Sequence, residues 1–169
     1  MSKNLEIKAR IQSVEVAISI AHNLNATYVG ELRQYDTYFD TKHGRLKLRV
    51  INNDRCELIY YDRAETSTQR LSNFEVYPLN DAVALKKILE SSIGIKAVVQ
   101  KKRQLYLYQS TRIHIDEVVN LGSFLEFEAP VIDSLASAEQ MINFLVRKFN
   151  IKRNDSLLHS YIDLMIGGS

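Results

Sequence analysis

Along residues 4–10, NLEIKAR, apolar and polar positions alternate one by one. Leu5, Ile7 and Ala9 fall on one face of an extended strand, and Asn4, Glu6, Lys8 and Arg10 on the other. The same two-residue period returns in GRLKLRV (44–50), RIHIDEV (112–118) and FLEFE (124–128). Further extended segments are expected around 35–40, in CELIYY (56–61), in LSNFEVY (71–77) with Pro78 closing it, and in VVQKKRQLYLY (98–108). TKHG (41–44) reads as a hairpin turn with Gly44 at positive φ, NLGS (120–123) joins two strands, and DRAETSTQR (62–70) is a polar loop. The period changes to that of a helix in VEVAISIAHNLNA from near Val14 and in DAVALKKILESSIG, which Gly94 ends. Two more helices are predicted: AEQMINFLVRKF, with Ser137 and Gln140 as a capping box, and SLLHSYIDLMI, capped by Asp155. Strands in hairpins interrupted by helices predict an α+β fold with a mainly antiparallel sheet. A doubly wound parallel sheet is disfavoured, because strands and helices do not alternate and neither GxGxxG nor a Walker A loop is present.

Composition narrows the picture. At 169 residues, without repeats or a Gly/Pro/Ser linker, the chain reads as one domain spanning 1–169. A net charge of +2 makes no case for a nucleic-acid or membrane partner. No apolar run has spanning length and no signal peptide is recognisable, so a cytoplasmic protein is expected. Cys56 is the only cysteine, which excludes an internal disulfide and a Cys-based zinc site, and it reads as a half-buried strand residue. His22, His43, His114 and His159 lack zinc-ligand spacing; His114 alone shares a face with other charged residues.

The charged faces carry the chemistry. Arg45, Lys47 and Arg49 share one face of their strand, Arg112, His114 and Asp116 another, and Glu126 and Glu128 a third, each with apolar residues behind. A sheet with one solvated side would satisfy any one strand. Taken together, these strands concentrate cations, and if the sheet curls into a barrel its interior is polar enough to require water and a charged ligand. Arg and Lys converging from several strands suit a polyanion, and the carboxylates suit a hard divalent cation bridging them to phosphate. The residues alone therefore point to a metal-assisted site for a phosphate-rich small molecule.

NLEIKAR, YFDTKHGRLKLRV, VVQKKRQLYL, RIHIDEVVNLGSFLEFE and a final SYIDL occur in that order over almost the whole chain. In this the sequence resembles the CYTH, or triphosphate tunnel metalloenzyme, superfamily, and most closely its class IV adenylyl cyclase-like branch. The resemblance implies an antiparallel β-barrel, a triphosphate tunnel open at both ends, with helices packed outside and Mg²⁺ or Mn²⁺ as cofactor. It implies that Glu6 and Lys8, the catalytic candidates, are the second and third members of an ExExK signature. Glu126 and Glu128 match metal ligands, joined by Glu6. Asp116 matches an acidic position that orients an arginine or holds metal through water. Lys47, Arg49, Lys101, Arg103 and Arg112 match phosphate-gripping positions. Tyr161 matches a residue that plugs or lines the tunnel mouth.

Two departures stand out. Asn4 occupies the first position of ExExK, and Tyr61 falls where many relatives carry a tunnel lysine, leaving Arg63 as its substitute. The implied activity is the class IV adenylyl cyclase reaction, ATP to cyclic AMP and pyrophosphate. The alternatives are hydrolysis of inorganic triphosphate or an organic triphosphate such as thiamine triphosphate, and a module that binds triphosphate or polyphosphate without turnover. A homodimer is expected only by analogy with the family.

Overall fold

The computed structural model describes residues 2–63 and 69–167, with the Arg63 side chain outside that description. Eight strands are hydrogen-bonded antiparallel: β1 (Ser2–Arg10), β2 (Thr27–Phe39), β3 (Arg45–Ile51), β4 (Arg55–Arg63), β5 (Arg70–Leu79), β6 (Ile95–Tyr108), β7 (Thr111–Val118) and β8 (Gly122–Pro130). Their order is β5-β4-β3-β2-β6-β7-β8-β1, and β1 also pairs with β5 over Ser2–Glu6, which closes the sheet into a barrel. Closure removes most edges, and the two-residue period sends one side chain in and the next out along every strand.

Outward residues of β1, β7 and β8 form the larger core. Leu5, Ile7, Ile113, Ile115, Leu125, Phe127 and Ala129 meet Ala17 and Ala21 of α1 (Val14–Asn23) and Ala138, Ile142, Leu145 and Phe149 in and just beyond α3 (Leu135–Lys148). Helix α1 starts where expected, because the Ser13 side chain accepts from the Val16 N–H. Helix α2 (Ala82–Ile93) buries none of its residues and lies against β2 and β3.

The structure departs from the sequence reading at four points. Strand β2 begins at Thr27, well before residue 35, because its polar first half is held by pairing with β6. Pro78 lies inside β5, opposite Glu57 of β4; β1 pairs only with residues 70–74, so the missing N–H costs no bond on that side. Ser134, not Ser137, caps α3, and it accepts from the Ser137 N–H. Asp155 belongs to a short 3-10 helix, Arg153–Asp155, where its side chain accepts from the Lys152 N–H, and it does not cap the last α-helix; Ser156–Leu157 forms β9 alongside Lys8 and Ala9. Helix α4 (Tyr161–Gly167) begins later, where the Ser160 N–H donates to Asp163 at 2.9 Å. The Gly44 turn forms as expected, at φ +59°. Residues 64–68 of the polar loop lie outside the described residues.

Helix α4 lies across one mouth of the barrel, where the resemblance implies that Tyr161 plugs or lines it. Tyr161 is buried against inward-facing Phe124, with ring centroids 5.0 Å apart, and Arg45 grips Asp163 through two bonds of 2.9 Å. The interior opens at the opposite end, where the inward positions Leu32, Arg55, Val76 and Leu105 become partly or fully exposed.

Phe127 is fully buried, 5.2 Å from Phe149 between ring centroids. Phe127→Ala is expected to lower unfolding free energy by about 3–5 kcal/mol in urea titration. A loss below about 1 kcal/mol would contradict the packing of α3 on this wall.

Candidate active site

The interior holds a cavity of about 300 Å³ lined from every strand of the barrel, with Ser160 and Tyr161 at its inner end. Among the sequence-predicted residues, Glu6, Lys8, Lys47, Arg49, Lys101, Arg103, Arg112, Glu126 and Glu128 line it. Arg63 ends β4, and its side chain lies outside the described residues. Arg10, on the same face of β1, leaves the cavity and donates to the Leu121 carbonyl at 2.8 Å.

Two buried carboxylates organise the cations. Asp36 of β2 is 0% exposed and accepts from Arg49 Nε and Nη2, both at 2.7 Å, and from Lys47 Nζ at 3.0 Å. Lys101 Nζ stands 3.6 Å from it. Burial alone would raise its pKa, but Arg49, Lys47 and Lys101 outweigh burial and hold Asp36 well below the usual carboxylate range. Asp116, also 0% exposed, accepts from Arg103 Nε and Nη2 at 2.7 Å and from the Tyr161 hydroxyl at 2.7 Å. Arg103 overcomes the burial of Asp116 and draws its pKa to about 2. With both oxygens engaged, Asp116 is placed to orient Arg103. The Tyr161 phenol is pushed well up by burial and by Asp116, so it remains a donor. Lys101 is the opposite case, because burial and the neighbouring Arg103 press its pKa well down.

Sequence reasoning missed Asp36. It is a single acid in YDTYF without a charged neighbour two residues away, so only its cross-strand partner Arg49, set by the β2–β3 register, reveals it.

The anionic side of the cavity lies on β1, β7 and β8. Their register sets Glu6 opposite Glu128, Lys8 opposite Glu126, and His114 opposite Glu126. Glu126 faces Lys8 Nζ at 3.3 Å and Arg103 Nη2 at 3.2 Å; burial would raise its pKa, but these cations outweigh burial and hold it well below the usual carboxylate range. Lys8 Nζ also lies 3.7 Å from the centre of the Tyr161 ring. Ligand atoms of His114, Glu126 and Glu128 lie within 4.8 Å of one another. His114 Nδ1 is buried without a hydrogen-bond partner. An orphaned ring nitrogen beside two carboxylates is a donor set that fits a divalent cation. Glu6 lines the cavity but is outside this cluster.

The chain matches the CYTH domain family over residues 2–161. It belongs to that family. It is 24% identical to a candidate adenylate cyclase of Methanocaldococcus jannaschii, across 95% of this chain and 97% of the other. Among solved structures, the PH1012 protein of Pyrococcus horikoshii superposes with a TM-score of 0.86 at 22% identity, covering 95% of this chain and 98% of its own. A candidate adenylyl cyclase from Hippeastrum, described as having a dominant triphosphatase activity, gives 0.70 at 13% identity, covering 98% and 96%. CYTH proteins are generally enzymes, cyclases or triphosphatases, and generally metal-dependent. Among the described residues no helix is long and apolar enough to cross a membrane.

Asp36→Asn would leave buried cations without their counter-charge, and a stability loss of about 3–5 kcal/mol is expected from chemical denaturation. Asp116 gives a pH test with a fixed sign. Its folded pKa of about 2 lies below the reference 3.8, so its contribution is complete above that reference and is lost as pH falls through about 2. The melting-temperature deficit of Asp116→Asn is therefore expected to be full at pH 6 and to narrow between pH 4 and pH 2. A deficit constant across that window would contradict the assignment.

Proposed function

We propose that this protein is a divalent-metal-dependent enzyme acting on a triphosphate-containing substrate, and that its reaction is that of a class IV adenylyl cyclase. The supporting observation is the convergence of Lys8, Lys47, Arg49, Lys101, Arg103 and Arg112, from four strands, on one cavity that also holds Glu126 and Glu128. Asp36 and Asp116 hold four of these cations in place before any ligand arrives, so binding needs little reorganisation. Lys101, whose charge is disfavoured by burial, gains a counter-ion when phosphate enters. Arg112, half in solvent at the open end, meets the incoming anion first.

Leu32, Ile51, Val76 and Leu105 line the cavity toward its open end and offer an apolar wall to an organic group carried by the triphosphate. This favours a nucleoside triphosphate such as ATP over inorganic triphosphate. In the cyclase reaction the ribose 3′-hydroxyl attacks the α-phosphorus and pyrophosphate leaves. Bound at Glu126 and Glu128, with Glu6 nearby, Mg²⁺ or Mn²⁺ would neutralise phosphate charge and assist the leaving group. Lys8, between Glu126 and the Tyr161 ring, acts as a phosphate clamp whose position is fixed from both sides. Arg103 is locked to Asp116 and presents its guanidinium edge to developing oxygen charge.

A second reading is hydrolysis, in which water attacks the terminal phosphorus of a triphosphate. The Hippeastrum neighbour's described triphosphatase activity favours it, whereas the neutral Asn4 on β1 favours a module that binds triphosphate without turnover.

Purified protein is to be offered ATP, inorganic triphosphate and thiamine triphosphate with Mg²⁺ and Mn²⁺ separately. Cyclic AMP and pyrophosphate from ATP are the expected products, with turnover in Glu126→Gln reduced by at least ~100-fold. Orthophosphate alone selects the hydrolase. No product, with triphosphate still raising the melting temperature, makes the protein a binding module. Near wild-type turnover in Glu126→Gln overturns the metal assignment.

A further inference from the structure

We infer that His114 is itself a metal ligand through Nδ1, making the Glu126–Glu128 pair a mixed nitrogen–oxygen site that selects first-row transition ions over Mg²⁺. This rests on the metal-dependent reading above and adds the class of ion the site prefers.

Three observations converge on the ring. His114 is only 3% exposed, so water does not satisfy it. Its Nδ1 lies 3.7 Å from Glu126 Oε2 and 3.7 Å from Glu128 Oε1 and has no hydrogen-bond partner. Those separations are too long for hydrogen bonds. They are close to the roughly 3–3.5 Å that separates two ligands bound about 2.1 Å from one ion. A histidine kept only for packing would satisfy Nδ1 locally, because an orphaned buried polar nitrogen costs about 1–3 kcal/mol.

The register makes the arrangement a property of the backbone. His114 is the direct cross-strand partner of Glu126, and Arg112 is that of Glu128, so the ring stands diagonal to Glu128 on the same inward face. Glu126 Oε2 accepts from Arg103 at 3.2 Å, and its second lone pair remains for an ion. Imidazole nitrogen is a good ligand for Mn²⁺, Co²⁺ and Zn²⁺, whereas Mg²⁺ takes oxygen almost exclusively. A nitrogen in this position therefore discriminates between ions that two carboxylates alone would hold more evenly.

The test uses purified full-length protein loaded with one equivalent of Mn²⁺ and examined by pulsed electron paramagnetic resonance. Modulation from a directly bound ¹⁴N is expected in the wild type and is expected to disappear in His114→Gln. Calorimetric titration should show Co²⁺ binding weakened at least ~10-fold by His114→Gln, with Mg²⁺ binding changed less than ~3-fold. Bound Mn²⁺ without nitrogen modulation overturns the inference, and this readout needs no variant. Equal weakening of Co²⁺ and Mg²⁺ also overturns it, since a merely structural histidine would act on both. If nitrogen modulation is absent but Glu126→Gln abolishes Mn²⁺ binding, the carboxylate site stands and only the role of His114 falls. If the wild type binds no divalent ion, both readings fall together.

Discussion

The interior of this barrel is charged, and a charged interior is stable only where each ion is matched. Asp36 is the point on which that matching turns. Fully buried, it accepts from Lys47 and Arg49 and stands 3.6 Å from Lys101. Without it, cations from β3 and β6 would face one another across a poorly solvated space. With it they are compensated and still directed inward. Asp116 plays the same part for Arg103 and adds Tyr161 to the network. The cost of burying these ions is met by folding, so the ammonium and guanidinium groups already stand fixed toward the cavity.

The barrel wall is asymmetric, and the asymmetry follows from what covers it. Outside β1, β7 and β8, Leu125, Phe127 and Ile113 pack against α1 and α3. On the inner face of those same strands stand Lys8, His114, Glu126 and Glu128. The donor cluster is thus carried by the best-braced part of the sheet, which suits groups whose separation must hold within a fraction of an ångström. Across the cavity, β2 and β3 are covered by α2, which buries none of its residues. There Asp36, rather than external packing, fixes the cations. Helix α4 joins the two sides: Arg45 of β3 holds Asp163, while Tyr161 reaches Asp116 of β7.

Much of this was legible in the sequence because a strand's period is two, and one misplaced residue would invert a face. Glu126 and Glu128 with Leu125 and Phe127 between and before them declare an inside and an outside. The turn at Gly44 was legible from a glycine free to take positive φ, and the start of α1 near Val14 from the change of period; the Ser13 cap that fixes that start is a finding of the structure. What escaped depends on partners distant in the chain. The first half of β2 is polar on its own and becomes a strand only beside β6. Pro78 is tolerated because β1 stops pairing at Phe74, which no local pattern announces. Asp36 resembles any strand aspartate until β3 sets Arg49 opposite it. The late start of α4 follows from Ser156–Leu157 being claimed by β1, a long-range pairing that overrides a plausible helical run.

Two positions on the cavity face then acquire a common meaning. Asn4 brings a neutral amide to β1, and from there Glu6 is set opposite Glu128. A third carboxylate at position 4 would add like charge on that side, attractive to a cation but repulsive toward its neighbours and toward phosphate. Replacing that charge with an amide weakens β1 as a metal-holding strand. As the proposed ligand, His114 would supply a donor without a negative charge, and it stands between β7 and β8, where the strands are braced from outside. On the proposed reading the donor set lies on β7 and β8 rather than on β1, and the neutral residues at positions 4 and 114 belong to one electrostatic solution. Under the proposed function it would keep the cavity basic enough for a triphosphate while leaving two carboxylates and an imidazole to hold the ion.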